Sequence, residues 1–148
     1  MRSFEETRQV NCSVQDMFNI VLDIDAYPLF LPWVADATVL TKESGELTAE
    51  LIADLAGSRH SFKTIDRYVA NKLIEIRLLE GPFRFLESVW TFDAQDDGTC
   101  KVHFSIEFEF RSMMLDLVAS PIFSTACKSM VQAFERRAIE LNATARNS

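Results

Sequence analysis

The chain has 148 residues, enough for one hydrophobic core and too few for two ordinary domains, and 48% of them are apolar, which excludes global disorder. A formal charge of -7 repels polyanions at long range, which argues against nucleic acid and against electrostatic adhesion to anionic lipid. Any membrane contact would have to be apolar rather than basic.

Cys12, Cys100 and Cys127 are widely separated and form no CxxC or mixed Cys/His spacing, so they read as reduced thiols of an intracellular protein and not as metal ligands. The start, MRSFEETRQV, is strand-like and lacks the basic end and apolar core of a signal peptide. The expected location is the cytoplasm. Peripheral contact with a bacterial inner membrane, or the mitochondrial matrix side after loss of a presequence, are its variants. With no linker, repeat or low-complexity stretch, residues 1–148 form one expected domain, with about 144–148 as a frayed tail.

Ser13 precedes VQDMFNIVLDID, where Val14, Met17, Phe18, Val21 and Leu22 recur at helical spacing and Asp16 occupies the capping-box position. This short helix must end by YPLFLPW at residues 27–33, because residues before Pro28 and Pro32 are pushed out of the helical region.

From Val34 the period switches to two. Turn signals at residues 43–45, 56–58, 70–72, 81–82 and 96–98 are spaced for successive hairpins. Leu47, Ala49, Leu51, Ala53 and Leu55 alternate with polar residues, as do Ile74, Ile76 and Leu78, then Leu86, Trp90 and Phe92. The clearest case is Val102, Phe104, Ile106, Phe108 and Phe110 against Lys101, His103, Ser105, Glu107, Glu109 and Arg111, the pattern of an antiparallel sheet solvated on one face.

After Ser112 the period returns to 3.6 until about Asn142. Met113, Leu117, Phe123, Cys127, Met130, Phe134, Ala138 and Leu141 form the apolar stripe of one long helix, which Pro121 must start or kink. A strongly twisted sheet curls, and this helix is the element able to cover its concave face. Where the curve and the helix do not meet, a cavity remains.

YPLFLPW, GPFRFLESVWTF (81–92), VHFSIEFEFRS (102–112) and MVQAFERRA (130–138) together resemble the coenzyme Q-binding branch of the polyketide cyclase/START-like superfamily, in order and over nearly the whole chain. The resemblance implies an α+β helix-grip fold, START/Bet v 1-like: a curved seven-stranded antiparallel sheet around a long C-terminal helix, with short helices after strand 1. It also implies non-enzymatic binding of ubiquinone or a related prenylated lipid, with no catalytic cofactor, and delivery of quinone to respiratory or biosynthetic enzymes, with transient membrane or respiratory-complex contact. A sister branch is similar to the ribosome-association toxin, which shares the GPF and FEF motifs, and makes the ribosome the alternative partner. A polyketide cyclase-like enzyme is a further alternative.

Under the leading reading, Tyr27, Phe30, Leu31, Trp33, Leu51, Ala53, Phe83, Trp90, Phe104, Met130 and Phe134 are the candidates for the pocket or its mouth. Residues 27–33 either plug one end of the sheet or gate the pocket, and a plug over a pocket is also a gate. A quinone ring needs one or two donors, for which Tyr27, Trp33, Ser61, Thr64 and Trp90 are available. Ala49 and Ala53 either admit the helix closely or make room for ligand; Met113, Met114 and Met130 are either core or adaptable lining. No catalytic group stands out. His60 and His103 have no evident nucleophile beside them, Glu107 and Glu109 read as a solvated charge row, and Arg136 with Glu140 is an ordinary helix pair. Ribosome contact through phosphate would require Lys63, Arg67, Lys72 and Arg77 to cluster on one sheet face.

Overall fold

The computed structural model describes residues 1–55 and 57–147, with side chains up to Ala143. In chain order it contains β1 (Arg2–Val10), α1 (Val14–Leu22), a 3₁₀ helix (Ile24–Leu29), β2 (Val34–Glu43), β3 (Glu46–Leu55), β4 (Ser58–Val69), β5 (Leu73–Glu80), β6 (Phe83–Ala94), β7 (Cys100–Phe110), α2 (Met113–Lys128) and α3 (Met130–Asn147). The strands form one antiparallel sheet in the order β1-β7-β6-β5-β4-β3-β2. Consecutive hairpins build all of it except β1, which returns to pair with β7. The turns fall at the anticipated positions, although Ala56 lies outside the described residues. Asn71 (φ 63°) occupies the left-handed region that a tight turn demands, and asparagine tolerates it better than most side chains.

Alternation decides the faces. Val102, Phe104, Ile106, Phe108 and Phe110 are all buried on β7, as are Leu47, Ala49, Leu51, Ala53 and Leu55 on β3. Register shifts at Val34/Asp36, Val39/Thr41, Lys63/Thr64 and Phe83/Phe85 interrupt the ladders, the kind of irregularity that increases local bend and twist. The sheet is curved and the helices cover its hollow side.

α1 is capped as its sequence predicts: Ser13 Oγ accepts from the Asp16 amide at 3.1 Å. Its buried face, Met17, Phe18 and Val21, packs inward, and Asn142 Nδ2 donates to Asp16 Oδ2 at 3.0 Å, tying α1 to α3.

The expected single C-terminal helix is two. Pro121 neither starts nor breaks it; it lies inside α2 on an exposed face, where water can solvate the Leu117 carbonyl that it leaves without an amide partner. The break comes at Ser129, whose amide bonds back to Ala126 and Cys127 and whose hydroxyl donates to the Thr125 and Ala126 carbonyls at 3.3 and 3.2 Å, competing with the helical ladder. α3 starts at the next residue.

The predicted stripe holds from Phe123 through Cys127, Met130, Phe134 and Ala138, all buried. It fails at its ends: Met113, Leu117 and Leu141 are 91%, 76% and 42% exposed, and Met114 is 77% exposed, so Met113 and Met114 are neither core nor lining. Periodicity marks a helix face but not how far the sheet extends beneath it. The proposed frayed tail falls on residues whose side chains, and for Ser148 the backbone, lie outside the described residues. No helix among the described residues is long and apolar enough to cross a membrane.

Candidate functional site

Between the sheet and the helices lies a cavity of about 80 Å³. β4 supplies Phe62, Thr64 and Asp66 to it, three residues of one parity and all buried; β6 supplies Leu86, Ser88 and Trp90 by the same rule, and β7 supplies Phe104 and Ile106. Phe123, Met130 and Phe134 close it from the helical side, and Ile24, Tyr27 and Trp33 from the 3₁₀ helix and the loop after it. Trp33 and Ile76 are the half-buried members of this wall.

The opening motif is therefore packed and not loose. The Tyr27 ring lies edge-on to Phe30 (6.1 Å) and Phe134 (5.2 Å), and Trp33 lies edge-on to Phe123 (5.7 Å). The Tyr27 hydroxyl donates to the Val21 carbonyl, and the Trp33 carbonyl accepts from the Asp54 amide at 2.8 Å. Tyr27 and Leu31 are buried, Phe30 and Trp33 half-buried, and Leu29 exposed.

One polar cluster interrupts the apolar wall. Asp66, 3% exposed, receives a hydrogen bond from Thr64 Oγ1 at 2.9 Å. Burial, only partly countered by that bond, pushes its carboxyl up to about 7. Burial, then the nearby carboxyls of Asp66 and Asp23, also push the Tyr27 hydroxyl well above its ordinary value. Ser88 donates to the Ser105 carbonyl at 3.0 Å and is occupied.

Of the candidate side chains, Tyr27, Trp33, Leu51, Trp90, Phe104, Met130 and Phe134 line the cavity; Phe30, Leu31, Ala53 and Phe83 do not. Phe83 is instead in an aromatic cluster with Phe62, Phe110 and Phe123 at 5.4, 4.5 and 5.5 Å. Phe30 packs outside Tyr27 and Phe134 with the Arg137 guanidinium 5.5 Å from its ring centroid. Ala53 and Leu31 are buried in the core without lining the cavity. Among the proposed donors Ser61 is misplaced: it is exposed and donates to Glu50 at 2.9 Å. Asp66 was missed, although Phe62, Thr64 and Asp66 keep the inward parity of β4 and that parity was the available signal.

His103 contacts Thr7 at 2.6 Å and Glu5 at 3.5 Å, while His60 Nε2 is buried without a hydrogen-bond partner. Lys63, Arg67 and Arg77 do not form a bare basic patch; they pair with Glu80, Glu46 and Glu87 at 3.5, 3.0 and 3.6 Å.

The sequence profile of the family described as polyketide cyclase / dehydrase and lipid transport matches residues 10–135. The chain belongs to this family. Within the polyketide cyclase / dehydrase and lipid transport family it is similar to the ribosome association toxin RatA of Vibrio cholerae, 34% identical over 93% of this chain and 96% of that one. It is also similar to coenzyme Q-binding protein COQ10 homolog B of Xenopus laevis, 32% identical over 91% of this chain but 57% of that one. The solved Zhui aromatase/cyclase from Streptomyces superposes with a TM-score of 0.79 over 93% of both chains at 17% identity, a likeness of fold alone. The 18 kDa protein CC1736 from Caulobacter crescentus superposes with a TM-score of 0.75 at 29% identity, over 97% of this chain and 99% of that one.

Proposed function

We propose that the protein works without catalysis, by associating with the ribosome, in the manner named for its bacterial relatives. The observation that carries this reading is the end-to-end match to the Vibrio cholerae relative, 34% identical over 93% of this chain and 96% of its own length. The site geometry supports it indirectly. At about 80 Å³ the cavity is roughly half the size of an engineered cavity of about 150 Å³ that takes one benzene, so a substituted quinone ring does not fit without movement of the wall. Exposed Met113, Met114, Leu117 and Val118 on α2 form an apolar strip of the kind that marks macromolecular contact. Because Lys63, Arg67 and Arg77 on the sheet are paired with glutamates, the association would rest on protein contacts more than on phosphate. Cosedimentation of the purified protein with separated ribosomal subunits tests it.

A second reading, capture of an apolar molecule such as ubiquinone in the cavity, is favoured by the predominantly aromatic and aliphatic wall and by the similarity to the Xenopus laevis protein. Mass spectrometry of lipids extracted from the purified protein tests that. A cyclase-type enzyme has least support: Asp66 is the acid on the wall, the Tyr27 hydroxyl is already donated to Val21, and a paired acid and base would be needed.

A further inference from the structure

Asp66 is a carboxyl on the core face of a sheet, and neither the ribosome reading nor packing requires it. It shares the cavity lining with Tyr27, whose hydroxyl it influences electrostatically, and is hydrogen-bonded by Thr64; Asp23 acts on Tyr27 from the preceding turn. Among the described residues, no lysine, arginine, histidine or glutamate joins the cavity lining. A buried carboxylate without a cationic partner is costly, so this site keeps the neutral acid as the main form up to about pH 7, well above the range of an ordinary carboxyl. Thr64 donates to Oδ1, which leaves Oδ2 to carry the proton. A neutral carboxylic acid held in an apolar cleft is a directed O–H donor. A cationic ligand would instead require two buried charges, at a desolvation cost of several kcal/mol per ion.

We propose that Asp66, positioned by Thr64, is the specificity-determining group of the cavity, and that in its carboxylic-acid form it donates a hydrogen bond to the carbonyl oxygen of an uncharged, largely apolar ligand. The ligand's hydrocarbon part meets Trp90, Phe104 and Phe134, and its entry displaces half-buried Trp33. This rests on the second reading above, that the cavity takes an apolar molecule, and adds what it selects and when. Ionisation of Asp66 removes the donor, so binding weakens as pH rises.

The test compares acetophenone with α-methylstyrene, which has the same shape with a methylene in place of the carbonyl oxygen, by titration at pH 5.5 and 8.5. Both are measured on the wild type and on Trp33→Ala, whose larger cavity removes size as a reason for weak binding. With the group ionising at about 7, acetophenone affinity is expected to fall roughly 30-fold between the two pH values, while α-methylstyrene changes less than about threefold. Asp66→Asn keeps an N–H donor that does not titrate and should bind acetophenone equally at both pH values; Asp66→Leu should lose the preference for the ketone. Acetophenone binding that is independent of pH, or unchanged in Asp66→Leu, overturns the role of Asp66 while leaving an apolar site intact. Failure of both probes to bind either protein overturns the apolar site and this proposal together.

Discussion

The Thr64 hydroxyl donates to Asp66 Oδ1 at 2.9 Å across two residues of one strand, with both side chains on the core face of the sheet. Burial, only partly countered by this bond, makes the folded protein hold the Asp66 proton up to about pH 7, whereas a carboxyl of ordinary value 3.8 releases it much earlier. Between those values the folded state binds more protons than the unfolded state, so this group's contribution to stability falls as pH rises and is fully lost above about 7. At about 1.4 kcal/mol per unit the span amounts to a few kcal/mol. Asp66→Asn should thus gain on the wild type by roughly 2–4 kcal/mol on going from pH 4 to pH 8. Urea unfolding at several pH values measures that gain.

Gly81 has φ +152°, and a Cβ built there would lie 2.5 Å from Phe62 Cβ, a side-chain root that cannot swing away. Gly98 has φ +85° but nothing within 4 Å of such a Cβ. Gly81→Ala should lower stability by roughly 2 kcal/mol or more, and Gly98→Ala by about 1 kcal/mol from backbone strain alone. Paired thermal melts rank them.

Phe123 is the ring on which two parts of the fold converge, 4.7 Å from Phe108, 5.5 Å from Phe83 and 5.7 Å from Trp33. Phe123→Ala leaves a large void in a 2% exposed position and should cost about 3–5 kcal/mol by chemical denaturation.

Burial pushes the Cys12 and Cys127 thiols up to about 12 and raises that of Cys100. The thiolate is the reactive form, so all three should resist iodoacetamide at pH 8 in the folded protein and react once it is unfolded in urea. Intact mass before and after unfolding reads this out.

Much of the sheet was legible because period two and turn chemistry are local: residues 102–110 declare a half-solvated strand, and β7 spans Cys100–Phe110. The helical break was not. Pro121 advertises a disruption that solvent exposure neutralises, whereas Ser129 acts through back-bonds that only the folded turn displays. Tyr27, Trp90 and Phe134 could be placed near a cavity because large apolar residues on inward positions converge under a curled sheet. Asp66 was harder, since a carboxyl is normally assigned to the wet face. Cavity volume has no local signature at all, because it is set by shifts of a side chain's width between distant elements.

The central claim is association with the ribosome, and sedimentation through a sucrose cushion with purified ribosomal subunits measures it most directly. The account predicts a saturable fraction pelleting with subunits and persisting at raised salt, since the chain carries a net charge of -7 and Lys63, Arg67 and Arg77 are paired with glutamates. Protein that remains in the supernatant at every subunit concentration would contradict it.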